Sequence, residues 1–137
     1  MVSRPLAIAH HDLCFGCGSA NLFGLQLELE RQPDGSVAGR FFVKQDHQGP
    51  PGVAHGGVLA AALDEAAALA AGDGPQAPLT ARLEVDFRST APVGSFVRLR
   101  ARVEPAQDGN RWVTATALSE GDVEVATARA LLIPQVG

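Results

Sequence analysis

One run of the sequence limits what the chain can fold into. Residues 58–71 read VLAAALDEAAALAA, almost entirely Ala and Leu, both strong helix formers. Gly56 and Gly57 mark the start of the helix this predicts, and Gly72 marks its end. Such a helix has almost no polar face, and a helix apolar nearly all round is buried rather than laid on a surface. Leu59 and Leu63 stand four apart and supply one bulky stripe. The alanines elsewhere let a sheet approach closely, so the rest of the chain has to wrap the helix.

That covering material reads as β-structure. Residues 25–30 (LQLELE) alternate strictly, the signature of a half-buried strand. Residues 33–36 (PDGS) signal a turn, and 37–43 return as the second arm of a hairpin. Residues 46–54 form a Gly/Pro-rich loop. Beyond the helix, Leu79, Ala81, Leu83, Val85 and Phe87 alternate with Thr80, Arg82, Glu84, Asp86 and Arg88. Val97, Leu99, Ala101 and Val103 alternate with Arg98, Arg100, Arg102 and Glu104. Turns at 107–110 (QDGN) and 120–122 (EGD) set off two more runs, 111–119 and 123–133, so the last three runs predict an antiparallel meander. Two strands, one helix, then four strands is an α+β order. A single sheet curled around the central helix buries it without a second layer. The 137 residues fit one domain, 1–137, with 1–24 as an irregular lead-in. Only 5% of the chain is aromatic, so the core is expected to be Leu, Val and Ala.

Charge and composition exclude several functions. A net charge of −4 without a basic run argues against nucleic acid and against a membrane surface. No stretch approaches the roughly 20 apolar residues of a spanning helix. The N-terminal residues lack the apolar core of a secretory signal, so a cytoplasmic location is expected. Cys14 and Cys17 need not form a disulfide in a reducing cytosol. With His10, His11 and Asp12 they have zinc-ligand chemistry, but a site needs donors that converge and one C-x-x-C pair is a weak sign of that. The sequence reading therefore expects no metal and no cofactor.

The chemistry concentrates at the helix start. The first N–H groups of a helix have no internal partner, and the helix dipole adds partial positive charge there. Gly56 and Gly57 leave those groups sterically open, as an oxyanion site requires; tight packing is the alternative reason for two glycines. Asp64 lies seven residues after Gly57, nearly two turns on, and shares a face with Gly57, Ala60 and Ala61. A carboxylate on a buried helix is costly unless paired or functional, and burial raises its pKa toward that of a general base. The alternatives are an exposed helix end or an arginine partner. Glu65 points about 100° away and reads as structural or interfacial. His55 could donate to a substrate carbonyl or shape the turn. His47, in the loop before it, could touch a ligand or be solvated. Thr80 opens the next strand on its polar side, which conflicts with a reach into a buried site unless the strand end bends.

These residues resemble the signature of PaaI-like hotdog thioesterases. The matching segments are HQGPPGVAHGG at 47–57, Leu63-Asp64-Glu65, and Leu79-Thr80-Ala81-Arg82-Leu83 with Phe87, Pro92 and Gly94. The lead-in Cys14-Phe15-Gly16-Cys17-Gly18 with Asn21 and Gly24-Leu25 is similar to the opening of one bacterial branch, with Leu22 where that branch has proline. The resemblance implies the hotdog fold and hydrolysis of a small or medium acyl-CoA. It implies Asp64 as general base or nucleophile, the Gly56 N–H as donor to the thioester carbonyl, His55 beside it, and Thr80 assisting. Gly57, His47 and Gln48 are then expected along the substrate. Some relatives carry an Asn in the loop where this chain has Gly49. The resemblance also implies a homodimer or a dimer-of-dimers tetramer with sites at the subunit interface. A non-catalytic acyl-CoA-binding module and a hydroxyacyl-thioester dehydratase are the other functions weighed.

Overall fold

Alanine decides how closely sheet and helix meet. The computed structural model describes residues 6–105 and 111–135. Its elements are β1 (Leu6–Ile8), β2 (Glu28–Arg31), β3 (Val37–Phe42), a 3-10 turn (Gln45–His47), α1 (Gly56–Ala71), β4 (Leu79–Phe87), β5 (Phe96–Val103), β6 (Arg111–Leu118) and β7 (Glu124–Ile133). The strands form one antiparallel seven-stranded sheet in the order β1-β2-β3-β5-β6-β7-β4. Helix α1 packs along β5, β6 and β7. Its Ala62, Leu63, Ala66, Ala67 and Leu69 are fully buried against Val97, Leu99, Val113, Ala117, Val125 and Ala130. The apolar helix wrapped by one sheet is what the composition dictated.

The helix ends are satisfied differently. At the C-terminal end the orphan carbonyls are taken by arginines from the sheet. Arg31 on β2 donates to Leu69 O at 2.6 Å and to Ala70 O at 3.3 Å, and Arg111 on β6 donates to Ala71 O. Positive charge there also suits the helix dipole.

The expected β2–β3 hairpin and the β5-β6-β7 meander are both present. The turn expected at 107–110 lies outside the described residues. Three expectations change. The helix begins at Gly56, because both glycines join its first turn. The lead-in is not wholly irregular: Leu6–Ile8 pairs with Leu29–Arg31 as β1. The strand expected over 25–30 shrinks to Glu28–Arg31. Gln26 sits at φ +51, and the N–H groups of Leu25 and Leu27 bond to Phe15 O and Gly16 O rather than to a strand. The lead-in thus takes over the ladder positions that alternation assigned to the sheet.

β4 occupies the sheet edge, paired only to β7. Its Leu79 and Phe87 are 53% and 54% exposed, and Leu83 and Val85 are half-buried. An apolar edge strand left open is a pairing surface unless something covers it.

Candidate active site

The start of α1 is organised by its capping residue. His55 is extended (φ −64°, ψ 139°), and its Nδ1 accepts the Gly57 N–H at 2.8 Å. Its carbonyl accepts from Val58 and Leu59. The Gly56 N–H has no partner among the described residues. The donor set for an oxyanion therefore narrows from two glycines to Gly56. Gly57 instead lies under the His55 ring, where a Cβ would stand 3.0 Å from Nδ1. A Cβ at Gly56 would meet only the Phe87 ring, at an ordinary 3.6 Å. With Nδ1 accepting, a neutral His55 carries its proton on Nε2 and keeps that N–H free to donate.

The preceding loop holds His55 in place. His55 N–H donates to His47 O at 2.8 Å. The His47 ring turns inward: it is 5% exposed, its Nδ1 accepts the Lys44 N–H at 3.1 Å, and it meets Phe41 edge-on. Burial, aided by nearby Lys44, pushes its pKa below the usual histidine value. Gln48 is exposed but its Oε1 accepts the Gly52 N–H within the same loop. Of the two residues expected along the substrate, His47 is buried in the loop and Gln48 is exposed with its Oε1 engaged by Gly52. Gly49 is required for a steric reason: a Cβ there would stand 2.7 Å from His55 Cα. An Asn at that point, as some relatives carry, does not fit this loop unless it shifts.

The carboxylate face is better defined. Past Val58, the part-exposed residues of α1 are Ala60, Ala61 and Asp64, on the face of Gly57, and the others are buried. Burial pushes the Asp64 carboxyl above the usual range, the neighbouring Glu65 adds to this, and the Thr80 hydroxyl opposes it. Thr80 Oγ1 donates to Asp64 Oδ1 at 2.5 Å. The strand bends for it. The β4–β7 register runs Thr80↔Leu132 and then Arg82↔Leu131, leaving Ala81 as an extra residue. Such a bulge re-aims a side chain, which resolves the conflict between Thr80's place in the alternation and its contact with the helix.

Gly56 and Asp64 lie well apart along α1. Eight residues at 1.5 Å each separate them by about 12 Å along the axis. Two grooves of about 750 and 400 Å³ flank β2 and β3, and neither is lined by Asp64, His55 or Thr80.

Glu65 faces the other way, into the lead-in. Its Oε2 lies 2.6 Å from His10 Nδ1, and Cys14 and Cys17 stand beside them. A hydrogen bond to Cys17 and then the Glu65 carboxylate push His10 up to about 11, against the effect of burial. Sequence reasoning placed the two cysteines near His10 but had no signal joining them to Glu65, whose distance along the chain hides the contact.

Comparison with known proteins adds the family context. Residues 51–108 match the family model described as Thioesterase superfamily. The acyl-coenzyme A thioesterase THEM5 of Mus musculus is 36% identical over 72 residues, which are 53% of this chain and 29% of that protein. The chain thus spans under a third of the length of that curated relative. A solved thioesterase superfamily protein superposes with a TM-score of 0.82 at 24% identity, over 89% of this chain and 60% of the other. The PaaI protein of E. coli, from the phenylacetic acid degradation operon, superposes with a TM-score of 0.71 at 18% identity, over 82% of each chain. At these identities the two structures bear on the fold.

Proposed function

We propose that this chain, which has the hotdog fold of its solved neighbours and matches the thioesterase superfamily over residues 51–108, is a PaaI-like thioesterase that hydrolyses an acyl-CoA to the free acid and coenzyme A. The observation that carries the reading is Asp64, a half-buried carboxylate on the one open stripe of an apolar helix, held by Thr80 at 2.5 Å. The name of the curated relative supplies the substrate class.

In this mechanism the Gly56 N–H, reinforced by the helix dipole, donates to the thioester oxygen as negative charge builds on it. Asp64 either takes a proton from water as that water attacks the carbonyl carbon, or attacks the carbon itself to give an acyl-aspartyl anhydride that water then hydrolyses to the free acid, regenerating the carboxylate. Thr80 fixes the carboxylate oxygen that is not attacking. His55 Nε2–H is the second donor available near the carbonyl. Coenzyme A leaves as the thiolate.

The 12 Å axial gap, about two helix turns, supports a site in which one substrate takes Gly56 from one chain and Asp64 from another. The open apolar edge at β4 supports a homodimer, whether or not dimers then pair into tetramers. Among the described residues no helix is long and apolar enough to cross a membrane. The free thiols of Cys14 and Cys17 favour a reducing, cytoplasmic compartment.

A panel of acyl-CoA thioesters of graded length, followed by release of free thiol, tests the reading. Asp64→Asn is expected to lower turnover by about 100-fold or more, the scale of a lost general base. Equal turnover by wild type and variant removes Asp64 from the chemistry. Tight acyl-CoA binding without thiol release over the whole panel replaces the enzyme with a binding module.

A further inference from the structure

The lead-in and α1 meet at a second cluster that thioester chemistry does not use. His10, Cys14, Cys17 and Glu65 bring one donor atom each to within 4.8 Å of one another. Cys17 and Glu65 are buried, at 5% and 8% exposure, and His10 and Cys14 are partly covered. Two thiols, an imidazole and a carboxylate packed this closely need a shared reason, because burying polar groups is costly.

The distances supply one. Cys14 Sγ and Cys17 Sγ each lie 3.6 Å from His10 Nδ1, and Cys14 Sγ lies 3.6 Å from both Glu65 oxygens. A tetrahedral zinc ion with sulfur at about 2.3 Å and nitrogen or oxygen at about 2.0–2.1 Å sets those same edges at about 3.5–3.6 Å. The His10–Glu65 edge is shorter, 2.6 Å, because it is a charge-assisted hydrogen bond. Replacing its proton by a dication opens it by about 0.7 Å, to the roughly 3.3–3.4 Å of a tetrahedral edge between nitrogen and oxygen.

The backbone is shaped around the same point. His10 N–H donates to Cys17 Sγ at 3.2 Å, a bond that favours the thiolate. Gly18 N–H returns to Cys14 O at 2.8 Å and closes the turn that holds both cysteines. A side chain at Gly16, between the cysteines, would collide with the Glu65 carboxylate. The turn is therefore pressed onto helix α1 as closely as a glycine allows.

We infer that His10 Nδ1, Cys14 Sγ, Cys17 Sγ and a Glu65 carboxylate oxygen bind one zinc ion. Binding releases the thiol protons and the imidazolium proton to solvent, and no electron is transferred. Four protein donors fill the tetrahedron, so the site is closed and structural rather than catalytic. Thiolate and imidazole donors select zinc over magnesium or calcium. The ion would pin the lead-in to α1 at the residue beside Asp64. The proposal departs from the expectation of no metal, which rested on the lack of any sequence sign that the donors converge.

The test is metal uptake by the intact chain, reduced, stripped with chelator and titrated with Co²⁺, then with Zn²⁺. About one equivalent of cobalt is expected, with thiolate-to-cobalt charge transfer in the near ultraviolet and the intense visible bands of a tetrahedral site, both abolished by zinc. Cys14→Ser and Cys17→Ser should each lose the charge-transfer band, while Asp64→Asn keeps it. If a serine variant fails to fold, the wild-type spectrum decides alone, because charge-transfer intensity counts the thiolates. Substoichiometric uptake by the fully reduced wild type overturns the site. So does a weak octahedral spectrum without charge transfer, or full uptake by a folded Cys14→Ser/Cys17→Ser chain. No substrate enters this measurement, so its outcome is independent of the thioesterase reading.

Discussion

Gly56 is where a single side chain can separate catalysis from folding. It is the first residue of α1, and proline is favoured at that position because its missing N–H is an orphan anyway. The preceding residue must be extended, and His55 already is (φ −64°, ψ 139°). The space beyond Gly56 holds only the Phe87 ring at 3.6 Å. Gly56→Pro therefore removes one hydrogen-bond donor and little else. Turnover is expected to fall by about 100- to 1000-fold, the effect of losing an oxyanion donor. Thermal unfolding of the variant should match or exceed the wild type, since proline also restricts the unfolded chain. A variant that keeps its turnover assigns the carbonyl to another donor. The places of Gly56 at the helix start and of Asp64 on the Gly57 face were legible in the sequence because the helix start and the helix period are local properties. His47 was not. Loop histidines are exposed or buried according to what packs on them, and here Phe41 and Lys44 decide.

At the scale of elements, α1 depends on groups outside itself for its last turn. Arg31 and Arg111 hold the carbonyls of Leu69, Ala70 and Ala71 from two different strands, β2 and β6. Arg31→Met keeps most of the aliphatic stem but leaves two of those carbonyls without their charged donor. It should cost about 1–2 kcal/mol, read as a lower urea midpoint with an unchanged slope. No loss of stability would mean that water serves those carbonyls equally well. The helix itself was readable from composition, and the meander from alternation punctuated by turns. β1 was hidden because three residues carry no periodicity, and only pairing with Leu29–Arg31 makes them a strand. The strand expected at 25–30 was overruled by the lead-in, whose Phe15 and Gly16 carbonyls claim its N–H groups. Long-range competition of this kind leaves no local trace.

The whole molecule has to be more than one chain if Gly56 and Asp64 act on one carbonyl. That requirement can be tested by mixing two inactive proteins. Gly56→Pro and Asp64→Asn chains, each nearly silent alone, should recover activity when unfolded together and refolded as mixed dimers. Random pairing gives half heterodimers, each with one intact site of two, so about a quarter of wild-type turnover is expected for a two-fold dimer. A site built within one chain recovers nothing, because every chain in the mixture then carries a lesion.

The extra residue at Ala81 turns chain length into an address. A β-strand presents its side chains by odd and even count, and the bulge between Thr80 and Arg82 spends one count to swap the parity of everything before it. Thr80 reaches Asp64 only on that swapped parity. A change of length in the segment linking helix and strand leaves that parity alone, while the stretch from Thr80 to the first regular pair cannot change by one without moving the threonine to the opposite face. The spacing that matters for the site is counted back from Arg82, not forward from the end of the helix.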